Sequence, residues 1–110
     1  MKLTPVDSIT VQYAQQLKNS LGSRLHEIWL FGSRARGDFK PESDYDLIIV
    51  ADGDEEEVHG RVVEESYAIM CEYSALMGAL TFSPEQWERE KNTSIGRTVL
   101  REGVMVYGTH

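Results

Sequence analysis

Apolar residues recur every four positions at Ile9, Tyr13, Leu17 and Leu21, and the run stops at Gly22. That spacing lays one stripe along a helix. Its start is expected at Thr4-Pro5-Val6-Asp7, with a hydroxyl cap, proline at the first helical position and an acid in the first turn. The pattern then shortens. Residues 27–31, Glu-Ile-Trp-Leu-Phe, form a strand-like apolar run that ends at Gly32. Residues 45–51 make a second strand, apolar on both faces and therefore expected inside the sheet. Between them, residues 32–43 are rich in Gly, Ser, Arg, Asp and Pro and read as a functional loop with room for one helical turn. Asp54, Glu55, Glu56 and Glu57 suit the N-terminus of a helix, where the macrodipole favours negative charge. Val58, Val62, Val63, Ile69 and Met70 are expected to supply its buried side. Residues 73–82 contain a third strand, and Ser83-Pro84-Glu85-Gln86 is a capping box that starts a helical stretch carrying Trp87. Ile95, Val99 and Leu100 lie on a last helical segment closed by Gly103, before a short strand at 104–107. The order α-β-β-α-β-α-β predicts one α/β (α+β) domain over residues 1–110, a small mixed β-sheet flanked by helices.

Composition narrows what such a domain can do. The chain has 110 residues, with 18 acidic against 11 basic side chains and a net charge of -7. It repels a polyphosphate backbone except where basic residues cluster, which argues against nucleic acid as a main partner. The single Cys71 permits no internal disulfide and fits a reducing cytoplasm. His26, His59 and His110 match no zinc spacing. The longest strongly apolar run, residues 47–51, is too short to span a bilayer, and no signal-peptide pattern opens the chain. The expectation is a soluble cytoplasmic protein with no membrane partner.

Candidate chemistry concentrates in Phe31-Gly32-Ser33-Arg34-Ala35-Arg36-Gly37 and Ser43-Asp44-Tyr45-Asp46-Leu47. Taken separately, Gly32-Ser33 also reads as a plain turn and Asp44 as a strand-edge residue. Together they go further. Asp44 and Asp46 are two apart at the mouth of a strand, so their side chains project from one face, which Ile48 and Val50 continue. Two bare carboxylates side by side repel, which favours a bound cation. Oxygen ligands suit magnesium, which keeps several waters and completes its shell from substrate phosphates. Gly32 lets a phosphate approach the backbone, and Ser33 offers a hydroxyl and an amide. Arg34 and Arg36 are candidate phosphate clamps, with a surface-charge role the alternative for each.

A Gly-Ser pair, ten residues, then Asp-x-Asp resembles the signature of the nucleotidyltransferase superfamily that includes DNA polymerase beta. The fuller strings, Gly-Ser-Arg-Ala-Arg-Gly and Ser-Asp-Tyr-Asp-Leu, look like its minimal nucleotidyltransferase (MNT) branch. The motif covers residues 32–47. The Ser-Pro-Glu-Gln helix and the closing Arg-Glu-Gly-Val segment also look like that branch. The resemblance implies a polymerase beta palm-like fold and transfer of a nucleoside monophosphate, usually AMP from ATP, with release of pyrophosphate. Asp44 and Asp46 would hold Mg²⁺, Gly32 and Ser33 would bind the triphosphate, and Arg34 or Arg36 would draw charge from the leaving group. It also implies a small helical HEPN-type toxin as partner, neutralised in some cases by adenylylation of a tyrosine.

One departure bears on turnover. Relatives commonly carry a third carboxylate on a neighbouring strand, but residues 73–82 contain no Asp or Glu. Glu72, just before them, is the only nearby candidate for that catalytic role, with an exposed strand-edge glutamate the alternative. Three further readings therefore stand beside the adenylyltransferase antitoxin. One is a weakly active or inactive MNT-fold module that neutralises a helical partner by complex formation. Another is a small-molecule, antibiotic-type transferase subunit, disfavoured because the chain has no room for an acceptor domain. The last is a polymerase, disfavoured by charge. Trp87 and several Met residues either pack in the core or leave an apolar patch for self-association or a helical partner.

Overall fold

The computed structural model describes residues 6–108. Helix α1 (Ser8–Leu21) and a short 3₁₀ turn (Gly22–Arg24) lead into β1 (Leu25–Phe31), the single-turn helix α2 (Ser33–Arg36) and β2 (Tyr45–Ala51). The long helix α3 (Glu55–Tyr73) follows, then β3 (Met77–Phe82), α4 (Pro84–Glu90), α5 (Ser94–Glu102) and β4 (Val104–Tyr107). The expected mixed sheet with flanking helices is present. Its strand order is β3-β2-β1-β4. β1 pairs antiparallel with both β2 and β4, and β2 pairs parallel with β3. Parallel neighbours need a crossover, which α3 supplies.

Because β2 is apolar on both faces, it is covered on both. Leu47 and Ile49 join Ile28, Leu30 and the α1 residues Tyr13, Leu17 and Leu21 in one core cluster, closed by Val58, Val62 and Ile69 of α3. On the opposite face Ile48 and Val50 pack with Trp87 of α4 and Val99 of α5, with Trp29 and Phe82 against them. Trp87 is 1% exposed, so its role is core packing and it is not part of a surface patch. Among the described residues no helix is long and apolar enough to cross a membrane.

Three expectations change. Thr4 and Pro5 lie outside the described residues, and α1 begins at Ser8 with Asp7 as its cap: the Asp7 carboxylate accepts from the Thr10 amide at 2.8 Å. Val63 and Met70 do not face the core; they are 51% and 41% exposed. Seven residues apart, they share a stripe on the flank of α3 beside β3, while α3 rests on the sheet through the face carrying Val58, Val62 and Ile69. The third strand begins only at Met77, since α3 runs to Tyr73 and ends at Ser74 in a left-handed conformation. Glu72 is therefore a residue of the last turn of α3 and does not stand at a strand edge.

Candidate active site

The end of β1 and the start of β2 meet because the strands are antiparallel and Phe31 stands opposite Asp46. Immediately after Phe31 the chain turns at Gly32, with φ of +75°. That conformation favours glycine. A second reason is steric: a Cβ on Gly32 would lie 2.3 Å from Oδ2 of Asp46. The Asp46 carboxylate thus rests against the bare backbone of the turn. Gly32 starts α2, its carbonyl accepting from the amides of Ala35 at 3.1 Å and Arg36 at 3.0 Å. Ser33, half-buried, is the first residue of that turn. The first amides of a helix have no intrahelical acceptor, so Ser33 and Arg34 present theirs at the mouth of the site.

Asp46 is half-buried and Asp44 exposed. Burial, and then the negative charge of Asp44, push the Asp46 carboxyl above its ordinary value, while Arg36 pulls it back. The two carboxylates therefore repel each other, and Arg36 faces them. A divalent cation fits this arrangement, because it would relieve the repulsion between two oxygen donors already in place. Among the described residues no group of three or more His, Cys, Asp or Glu side chains could hold a metal. An ion bound by the pair would take the rest of its shell from water and phosphate, as magnesium does.

The two arginines of the loop have different fates. Arg34 is 8% exposed. Its Nη2 donates to the carbonyls of Pro41 at 3.1 Å and Ser43 at 3.0 Å, its Nε donates to Ser43 at 3.3 Å, and its guanidinium lies between the rings of Phe39 and Tyr45. It buckles residues 38–45 into the loop that presents Asp44, and few of its donors remain for a phosphate. Tyr45 completes the buckle by donating to Asp7 at 2.6 Å. Burial, then the Asp7 hydrogen bond, push the Tyr45 phenol up to about 12. Arg36 is exposed and paired with Asp38 at 3.3 Å and Glu102 at 3.5 Å.

Asp44 also lines a cleft of about 210 Å³ between residues 41–45 and the C-terminal end of α3, where Met70, Tyr73 and Leu76 form the wall. Glu72 is not part of that wall. The position on β3 beside Asp46 is Gly78, whose added Cβ would lie 3.7 Å from Asp46 Oδ1. Sequence reading missed this neighbour of Asp46 because the β2–β3 register is set by the α3 crossover and no local pattern reports it.

The mixed sheet and the Gly-Ser turn set against paired carboxylates define an enzyme of the nucleotidyl-transfer class. The nucleotidyltransferase domain family matches residues 13–102, and the chain belongs to that family. A Methanocaldococcus jannaschii protein carrying the name "putative protein adenylyltransferase" is 34% identical over 96 residues, 87% of this chain and 92% of the relative. The crystal structure of a toxin–antitoxin with AMP-PNP superposes with a TM-score of 0.62 at 20% identity, covering 91% of this chain and 74% of the other. A complex of the tri-AMPylated Shewanella oneidensis HEPN toxin with MNT antitoxin gives 0.54 at 18% identity, over 90% and 70%. At such identities these two structures speak for the fold alone.

Proposed function

We propose that this chain is a Mg²⁺-dependent adenylyltransferase that moves AMP from ATP to a partner protein, acting as the antitoxin toward a HEPN-type helical toxin in the cytoplasm. The observation that carries the reading is the seat of the Asp46 carboxylate on the bare backbone of Gly32, close enough to Asp44 for its charge to be felt. Gly32 and Ser33 receive the triphosphate through backbone amides and the Ser33 hydroxyl. Asp44 and Asp46 hold Mg²⁺, which when bound neutralises charge on the phosphates. Of the two arginines, Arg36 is the one near the pair, and swinging from its exposed contacts with Asp38 and Glu102 it steadies the leaving group. An acceptor hydroxyl oxygen attacks the α-phosphorus in line, the bond to the β-phosphate oxygen breaks, pyrophosphate leaves with that electron pair, and the hydroxyl proton passes to water at the open cleft. The names of the M. jannaschii relative and of the AMPylated toxin complex support AMP as the group transferred and a protein as acceptor. An exposed, free Cys71 agrees with a reducing compartment, and the net charge of -7 with a partner other than nucleic acid.

The test is incubation with α-labelled ATP, Mg²⁺ and a HEPN-type helical toxin. Label should move to the toxin with wild type and not with Asp46→Asn. A second reading is favoured by the uncharged Gly78 standing beside Asp46: the chain neutralises its partner by binding, with little turnover. In that case wild type and Asp46→Asn suppress the toxin equally and neither labels it.

A further inference from the structure

The flank stripe of α3 is apolar and has no cover within the described residues. Val63, Tyr67 and Met70 follow one another at i, i+4 and i+7, and Tyr67 is 69% exposed. They continue into exposed Leu76 after the helix. A groove of about 270 Å³ runs between this stripe and β3, with Val62 and Ala79 on its floor. Met70 and Leu76 line both this groove and the cleft that contains Asp44, so the two lie side by side.

Gly60 makes the stripe more than an apolar accident. It lies inside a 19-residue helix, three residues before Val63, and is exposed. A Cβ there would meet nothing within 4 Å. Glycine in a helix interior costs roughly 1 kcal/mol relative to alanine, and nothing inside the chain requires it. Its bare backbone leaves room for a second backbone to cross close to this face.

Charge selects the occupant. The helix carries Glu55, Glu56, Glu57, Glu64, Glu65 and Glu72 against Arg61, and Arg61 is turned to Ser20 and Glu57. A second copy would set this acidic rim against itself, whereas a helix with an apolar stripe and Lys or Arg flanks complements it. We propose that this face is the docking groove of the acceptor protein. It receives a basic-flanked amphipathic helix and leads the acceptor side chain past Met70 and Leu76 toward Asp44. This rests on the reading of a protein acceptor given above.

The test uses a HEPN-type helical toxin, with calorimetric affinity and AMP transfer measured separately. Val63→Glu and Tyr67→Ala should weaken toxin binding roughly 30-fold or more, the loss expected at an interface anchor, with Mg-ATP affinity unchanged. Gly60→Leu should melt at a higher temperature than wild type yet bind the toxin more weakly, a combination that a purely structural glycine would not produce. Toxin binding that needs this face but brings no transfer keeps the groove and sinks the enzyme reading. Full affinity in all three variants overturns the groove, as does a wild-type chain that binds no toxin and dimerises through Tyr67.

Discussion

Gly32→Ala measures how closely the turn and the carboxylate depend on each other, and Gly37→Ala is its internal control. Both glycines have positive φ, +75° and +92°. Holding a non-glycine residue in such a region costs about 1–3 kcal/mol, offset by roughly 0.4–1 kcal/mol because alanine orders the unfolded chain. Gly37 has nothing within 4 Å of its added Cβ, so Gly37→Ala bears only that difference, about 1 kcal/mol. Gly32→Ala bears it too, and its Cβ arrives 2.3 Å from Asp46 Oδ2, where real contacts stay beyond 3.0 Å. The carboxylate must retreat by most of an ångström. We expect Gly32→Ala to lose about 2–3 kcal/mol in total, a melting shift of roughly 10–15 °C against about 5 °C for the control. A displacement of that size also costs on the order of 100-fold in a transfer rate. Urea unfolding and calorimetric Mg-ATP binding on both variants decide the matter. Equal stability losses with Mg-ATP affinity intact in both would refute the contact between Gly32 and Asp46 as the centre of the site.

Three further outcomes follow from the charges. Burial first, then Asp44, raises the folded-state Asp46 carboxyl above its ordinary 3.8, so the native state binds the extra proton and stability falls as pH rises through that window. Asp46→Asn should therefore be more stable than wild type at neutral pH without Mg²⁺, and urea titrations should show the gap closing below 3.8. Asp7 runs the other way. Burial raises it, but hydrogen bonds from Tyr45 and Thr10 and the charge of Arg34 outweigh burial, so its contribution is present above 3.8 and is lost as pH falls through its lowered value. Asp7→Ala should cost about 1–2 kcal/mol at neutral pH, as loss of a helix cap does, and less in acid. Arg34→Gln should lower stability by about 2–4 kcal/mol by removing charged hydrogen bonds and ring stacking, whereas Arg36→Gln should leave melting nearly unchanged and weaken Mg-ATP binding.

What was legible in the chain was what depends on near neighbours. The four-residue stripe of α1, the capping box at Ser83 and the two-sided apolarity of β2 each report a local environment, and each appears where the pattern put it. The closeness of Gly32 and Asp46 was legible because the turn and the strand mouth are joined by a short connection. Val63 and Met70 misled because hydrophobicity alone does not say which side of a helix meets the sheet. Arg34 misled for a related reason. Its place in the motif suggests a phosphate ligand, but the return of residues 39–45 surrounds it with two rings and two carbonyls, a closure that no spacing reveals.

Arg34 is committed to the loop, and the β3 residue beside Asp46 is the uncharged Gly78. With Arg34 committed, the pair Asp44–Asp46 faces one mobile cation, Arg36, which is itself shared with Asp38 and Glu102. The Asp46 carboxyl is raised first by its burial and only then by the charge of Asp44. A group that binds the folded chain and not the unfolded one adds stability as its concentration exceeds its dissociation constant, about 2.7 kcal/mol at a hundredfold excess. A divalent cation held as proposed by Asp44 and Asp46 would be such a group, because it would offset the charge that Asp44 places on Asp46. A third carboxylate at position 78 would deepen both the repulsion and the relief. With glycine there, the proposed transfer would rest on two acidic ligands and on how well the acceptor is held.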